Sequence, residues 1–139
     1  MLKFKKPSLI KIPSYSEFNG TLKPFYINSS FPDDFKLKRI FILYGKHKYF
    51  RADHAHKKCS QIIVPLNGEI TIEIQNIYFK KKITLNYKKN KALMIPPFNW
   101  IKIIFKKNND SLITFCDYKY DKSEYISDYK EFKLLIKKK

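Results

Sequence analysis

The sequence predicts an all-β domain closed by one C-terminal helix, and three observations carry that expectation. Short apolar runs follow one another at the roughly 8–12-residue spacing of a sandwich or barrel. Two of the runs alternate apolar and polar residues without a break. Aromatic residues reach 17%, with twelve Phe and ten Tyr, side chains that pack best on a pleated surface.

The elements follow in order. Pro7, Pro13, Pro24 and Pro32 punctuate residues 1–35, which read as edge strands and loops. Apolar runs then occupy 38–44, 61–65, 69–74, 81–87, 92–95, 100–105 and 112–116. Ile70, Ile72 and Ile74 alternate with Glu69, Thr71 and Glu73, and Ile83 and Leu85 with Lys82, Thr84 and Asn86. That is the period of a strand with one wet face. At the end the period changes. Asp121 and Glu124 have the spacing of a capping box, and Tyr125, Tyr129, Phe132 and Ile136 recur at helical spacing. The spacing predicts an amphipathic helix over 122–136, its aromatic stripe packed on the sheet.

With 139 residues and 44% apolar content, the chain is one domain able to bury a core. No repeat or linker divides 1–139. The net charge of +17 raises a nucleic-acid reading, but Arg39 and Arg51 are the only arginines. The lysines are spread along the chain, densest at Lys137, Lys138 and Lys139, as expected for a solvated surface without nucleic acid. Such a surface still attracts a small diphosphate. Cys59 and Cys116 are far apart and form no CxxC, and the opening residues lack a signal-like apolar core. No stretch approaches a membrane span. The expectation is a cytoplasmic protein with buried thiols and no membrane partner.

Three histidines are present: His47, His54 and His56. On a strand, His54 and His56 face the same side, with Ala55 turned away. Two imidazoles on one face suggest a metal or proton transfer. The wider spacing decides between them. His54-x-His56, four residues, Gln61, six residues, Gly68 is similar to the first motif of the cupin barrel, a small jelly roll. An amide stands at its carboxylate. The second cupin motif has its counterpart at Pro97 to Lys102, with lysine at the last ligand position. A protonated lysine repels a cation. His54, His56, Gln61 and Lys102 therefore predict cupin geometry with no metal, leaving the histidines free for acid–base work.

The chain also resembles the dTDP-4-keto-6-deoxyglucose 3,4-ketoisomerases of the cupin superfamily. The matching segments are Gly20-Thr21-Leu22-Lys23-Pro24, the strand 35–41 around Arg39, the core Arg51-Ala52-Asp53-His54-Ala55-His56-Lys57, Leu66-Asn67-Gly68, the Pro97–Trp100 segment and Tyr125-Ile126-Ser127-Asp128-Tyr129. Ala52 stands where the family has glycine. Phe41 and Ile42 stand where it carries a tyrosine that reaches the sugar, so Tyr44 is the expected hydroxyl.

The resemblance implies a metal-free and cofactor-free isomerase. It would convert dTDP-4-keto-6-deoxyglucose to its 3-keto isomer through an enediol, supplying 3-amino-3,6-dideoxy sugars for surface glycans. It implies His54 as base, with His56 and Tyr44 assisting. Arg39, Arg51, Lys57, Gln61, Trp100 and Lys102 would bind substrate. It further implies a homodimer in which the strands of 1–35 exchange. A nucleotide-sugar epimerase and a non-catalytic nucleotide-sugar-binding cupin remain open from the residues alone.

Overall fold

The structure, a computed structural model, describes residues 4–27 and 29–137. Lys138 and Lys139 of the lysine run, and residues 1–3 and 28 of the N-terminal segment, lie outside these. The strands, in chain order, are β1 Ser8–Lys11, β2 Tyr15–Glu17, β3 Gly20–Leu22, β4 Arg39–Tyr44, β5 Phe50–His56 and β6 Gln61–Asn67. They continue as β7 Glu69–Gln75, β8 Lys80–Asn86, β9 Lys91–Ile95, β10 Trp100–Phe105, β11 Ser111–Cys116 and β12 Tyr125–Ile126, and one helix follows, α1 Tyr129–Lys137.

Two five-stranded antiparallel sheets carry the domain, in the orders β1-β9-β6-β11-β4 and β12-β5-β10-β7-β8, with β2 and β3 as a separate hairpin. They are laid face to face as a jelly roll, not hydrogen-bonded into one closed cylinder. The alternation read from the sequence sets the packing. Ile70, Ile72 and Ile74 of β7 are buried, and so are Ile101, Ile103 and Phe105 of β10. They meet Ile63, Leu93, Ile95 and Leu112 of the other sheet in the central core. Polar partners on β7 stay half-exposed. β6 is buried on both faces from Gln61 to Pro65. Its outer residues Ile62 and Val64 pack under Phe31, Phe35 and Phe115. Gly68, between β6 and β7, has φ +74, and a Cβ there would collide with the Asp110 carboxylate. That carboxylate accepts hydrogen bonds from the N–H groups of Glu69 and Lys107.

The helix expected over 122–136 is shorter. Lys122–Glu124 form a 3-10 turn capped by Asp121, whose side chain accepts from the Ser123 N–H. Tyr125 and Ile126 then pair with His56 and Ala55 of β5. Only after Asp128, which accepts from the Lys130 N–H, does α1 begin. Strand pairing takes backbone groups that a helix would use internally, so the capping-box spacing is overridden by a tertiary contact. The stripe survives in part: Phe132, Leu135 and Ile136 pack on Ala55, Phe98, Trp100 and Ile126. Tyr125 leaves it and faces the inside of the jelly roll.

Candidate functional site

Between the sheets lies a cavity of about 340 Å³, lined by Phe41, Arg51, His54, Gln61, Thr114 and Tyr125 over a floor of isoleucines. The backbone of β5 explains how several of these meet. Ala52 and Asp53 have φ of 69° and 59°, and the pairing with β10 shifts between Ile101 and Lys102. This is a bulge: Asp53 is the extra residue. It lets Arg51, Ala52 and His54 all border the cavity, while Asp53 turns outward to accept from the indole N–H of Trp100 at 3.1 Å. Ala52 thus holds a left-handed conformation that favours glycine.

His54 and His56 share the inner face, as the strand period predicts, with ring centroids 4.9 Å apart and planes at 90°. Their environments differ. His54 lines the cavity, and burial, reinforced by the charge of His56, pushes its pKa down to about 4. At neutral pH it is therefore the free imidazole, the form that takes a proton. His56 lies behind it and is buried. Its Nδ1 is 2.5 Å from Glu124 Oε1, and its Nε2 has no hydrogen-bond partner among the described residues. Glu124 Oε2 accepts from the backbone N–H groups of Lys57, Lys58 and Cys59 at 3.1–3.2 Å. Burial alone would raise the Glu124 pKa. The hydrogen bond and charge of His56, with those backbone donors, outweigh it and hold the carboxyl below its ordinary range.

Tyr125 closes the cavity. Antiparallel pairing sets it beside His56, with ring centroids 4.3 Å from His56 and 5.1 Å from His54. Its hydroxyl accepts from Arg39 Nη2 at 3.4 Å. The same Arg39 nitrogen reaches Cys116 Sγ at 3.7 Å, and Gln61 Nε2 reaches that sulfur at 3.8 Å. The Cys116 thiol is held below its ordinary pKa by the hydrogen bond from Cys59, against burial and with help from Arg39 and Gln61. Thr114 Oγ1 is buried on the cavity wall with no partner among the described residues.

Among the described residues, His56, Cys59 and Glu124 bring nitrogen, sulfur and oxygen donors within 4.8 Å of one another. Both Glu124 oxygens are already engaged by N–H donors, so the group is built as a hydrogen-bonded dyad.

The residues named from the sequence divide into two groups. His54, Arg51 and Gln61 line the cavity; His56 and Arg39 stand directly behind it. Four do not join them. Tyr44 is exposed, on the face of β4 that also carries Ile40 and Ile42, because side chains alternate and Arg39, Phe41 and Leu43 take the inner face. Trp100 and Lys102 alternate the same way on β10, with Ile101 and Ile103 inside. They border a separate outer groove of about 220 Å³ with Asp53 and Tyr129. The unbroken pairing of β10 with β7, Ile101 against Ile74 and Lys102 against Glu73, sets this facing, so Lys102 is not where the last cupin ligand would stand. Its ammonium lies 4.0 Å from the centre of the Phe50 ring. Lys57 is exposed and contributes a backbone N–H to Glu124. Sequence reasoning missed Glu124, Tyr125 and Thr114. The first two read as cap and helix stripe, and only the pairing of β12 with β5 brings them in.

Comparisons with known proteins agree with this arrangement. The chain is 29% identical over 132 residues to the TDP-4-oxo-6-deoxy-alpha-D-glucose-3,4-oxoisomerase of Aneurinibacillus thermoaerophilus, covering 94% of this chain and 92% of that one. Its fold superposes with TM-score 0.87 and 28% identity on QdtA, a sugar 3,4-ketoisomerase of Thermoanaerobacterium thermosaccharolyticum solved with TDP, over 95% of each chain. With WlaRA, a TDP-fucose-3,4-ketoisomerase of Campylobacter jejuni, the TM-score is 0.83 at 32% identity, over 95% of this chain and 96% of that one. The family model described as FdtA: WxcM-like, C-terminal matches residues 5–137, so the chain belongs to the FdtA-type family, whose named relatives here are sugar 3,4-ketoisomerases with the cupin-like jelly roll.

Proposed function

We propose that this protein is a sugar 3,4-ketoisomerase acting on a TDP-linked 4-keto-6-deoxy sugar, and that the neutral His54 imidazole in the inter-sheet cavity is its base. That side chain is the observation that carries the reading: a half-buried, uncharged imidazole facing a cavity that Arg51 and Gln61 also line. The ketone at C4 acidifies the proton on C3. His54 removes it, an enediol forms, and the proton returns at C4. Gln61 orients the sugar by hydrogen bonding. Arg51, exposed at the cavity, holds the diphosphate, and the net charge of +17 draws that dianion in. These residues perform the reaction as proton transfer alone, without a metal or organic cofactor. The product suits a downstream transaminase that installs nitrogen at C3.

Residues 1–139 act as one domain, and the working form is a homodimer in which the N-terminal hairpin reaches a second copy. The β2–β3 hairpin supports this: among the described residues it pairs only with itself, and it exposes Tyr15, Phe18 and Leu22.

The test is proton NMR of TDP-4-keto-6-deoxyglucose with the protein and a chelator in deuterated water. New 3-keto signals carrying deuterium at C4 are expected. An unchanged spectrum, with bound substrate, would reject the reading in favour of a binding protein.

A further inference from the structure

The ketoisomerase chemistry leaves one proton unassigned. Besides the carbon proton, the hydroxyl proton of O3 must leave and O4 must gain one. His54 cannot serve both transfers at once. The geometry points to Tyr125 as a second catalytic residue, whose hydroxyl passes the proton between the two sugar oxygens; this rests on the ketoisomerase reading.

The observations are independent of the histidine motif. Tyr125 lines the same cavity as His54, with its ring centre 5.1 Å from that imidazole. Its hydroxyl is anchored from behind by Arg39 Nη2 at 3.4 Å. Arg39 is itself held by Cys116 and packed over the rings of Phe41 and Tyr120, each 5.5 Å from the guanidinium. The bond from Arg39 occupies a lone pair of the phenol oxygen and leaves its proton free to point at a ligand. The same cation stabilises the phenolate while the proton is away. Burial otherwise keeps the group a phenol, with its pKa above the ordinary value, so it waits as a donor. Among the described residues no other phenol lines the cavity, and Phe41 and Ile63 offer no proton.

The step balances. His54 takes the C3 proton; the C–H pair becomes the C3=C4 bond, and the C4=O pair moves to O4. Tyr125 gives its proton to O4 and takes one from O3. The O3 pair forms the new carbonyl, and the C3=C4 pair takes the proton from His54 at C4. Both side chains end as they began, and nothing external is consumed.

This assignment makes a specific demand on Tyr125→Phe in deuterated water. Carbon deprotonation by His54 still yields the enediolate, so deuterium entry at C3 of the unreacted 4-keto sugar slows less than isomerisation, which needs both oxygen transfers. Isomerisation falls by about 100-fold. Isomerisation at the wild-type rate, or equal loss of exchange and isomerisation, would overturn the role. If the phenylalanine variant fails to fold, a fluorotyrosine placed at position 125 keeps the ring and lowers the phenol pKa. The alkaline limb of kcat then moves down by that drop, and an unmoved limb overturns the role. Wild-type protein with no turnover would instead sink the ketoisomerase reading itself, which separates the two failures.

Discussion

His56 and Glu124, 68 residues apart in the chain, form a buried pair with Nδ1 and Oε1 2.5 Å apart. The carboxylate also accepts the three backbone N–H groups that follow β5. It thus fixes both a side chain behind the cavity and the turn into β6. Glu124→Ala removes all four acceptor contacts and leaves the imidazole and amides buried without partners. Chemical denaturation is expected to show a loss of about 3–5 kcal/mol. Glu124→Gln, which keeps an acceptor oxygen for the amides, loses less. Equal midpoints for the wild type and Glu124→Ala would show that the pair contributes nothing.

His54→Asn keeps a hydrogen-bonding side chain of similar reach but cannot accept a proton at neutral pH. Turnover is expected to fall by at least about 100-fold, with unchanged far-UV circular dichroism. The NMR assay measures it directly. Retained turnover would remove His54 from the mechanism.

Stability should follow the His54 titration. Its folded pKa, about 4, lies below the ordinary 6.5, so between those values the unfolded chain binds the extra proton. The contribution is complete above pH 6.5 and is lost as pH falls towards 4, amounting to roughly 3 kcal/mol. Thermal melts across that window should show the decline for the wild type and a shallower one for His54→Asn. Parallel slopes would contradict the depressed pKa.

Tyr44 and Lys102 lie outside the cavity, on outer faces of β4 and β10. Tyr44→Phe and Lys102→Met are expected to leave kcat and KM within about twofold, since neither side chain faces the cavity and substitutions away from a site rarely matter. A large drop in kcat for either would place that residue back in the site.

Ala52 carries a left-handed φ of 69° in the bulge that aims His54. Ala52→Gly relieves that strain, while β-branched Ala52→Val adds to it. The glycine variant should melt no lower than the wild type and the valine variant clearly lower, by about 1–3 kcal/mol. Valine without effect would mean the backbone there is not constrained.

Local periodicity was enough to place most strands. It also placed His54 and His56 on one face, since alternation is a property of consecutive residues. The spacing from His54 through Gln61 to Gly68 likewise survives, because Gly68 fills a turn whose φ and close approach to Asp110 admit no side chain. The sequence by itself also determined the family through the order of its motifs. Only the tertiary structure decided which side each later residue takes. Pairing of β10 with β7 puts Trp100 and Lys102 on the outer face, while the bulge at Ala52 and Asp53, which no composition signal marks, lets both Arg51 and His54 border the cavity. The segment 122–128 had the spacing of a helix start, yet pairing with β5 was available and won. That pairing brings Glu124 to His56 and Tyr125 to the cavity. Contacts across such a separation depend on how strands stack, which local patterns do not encode.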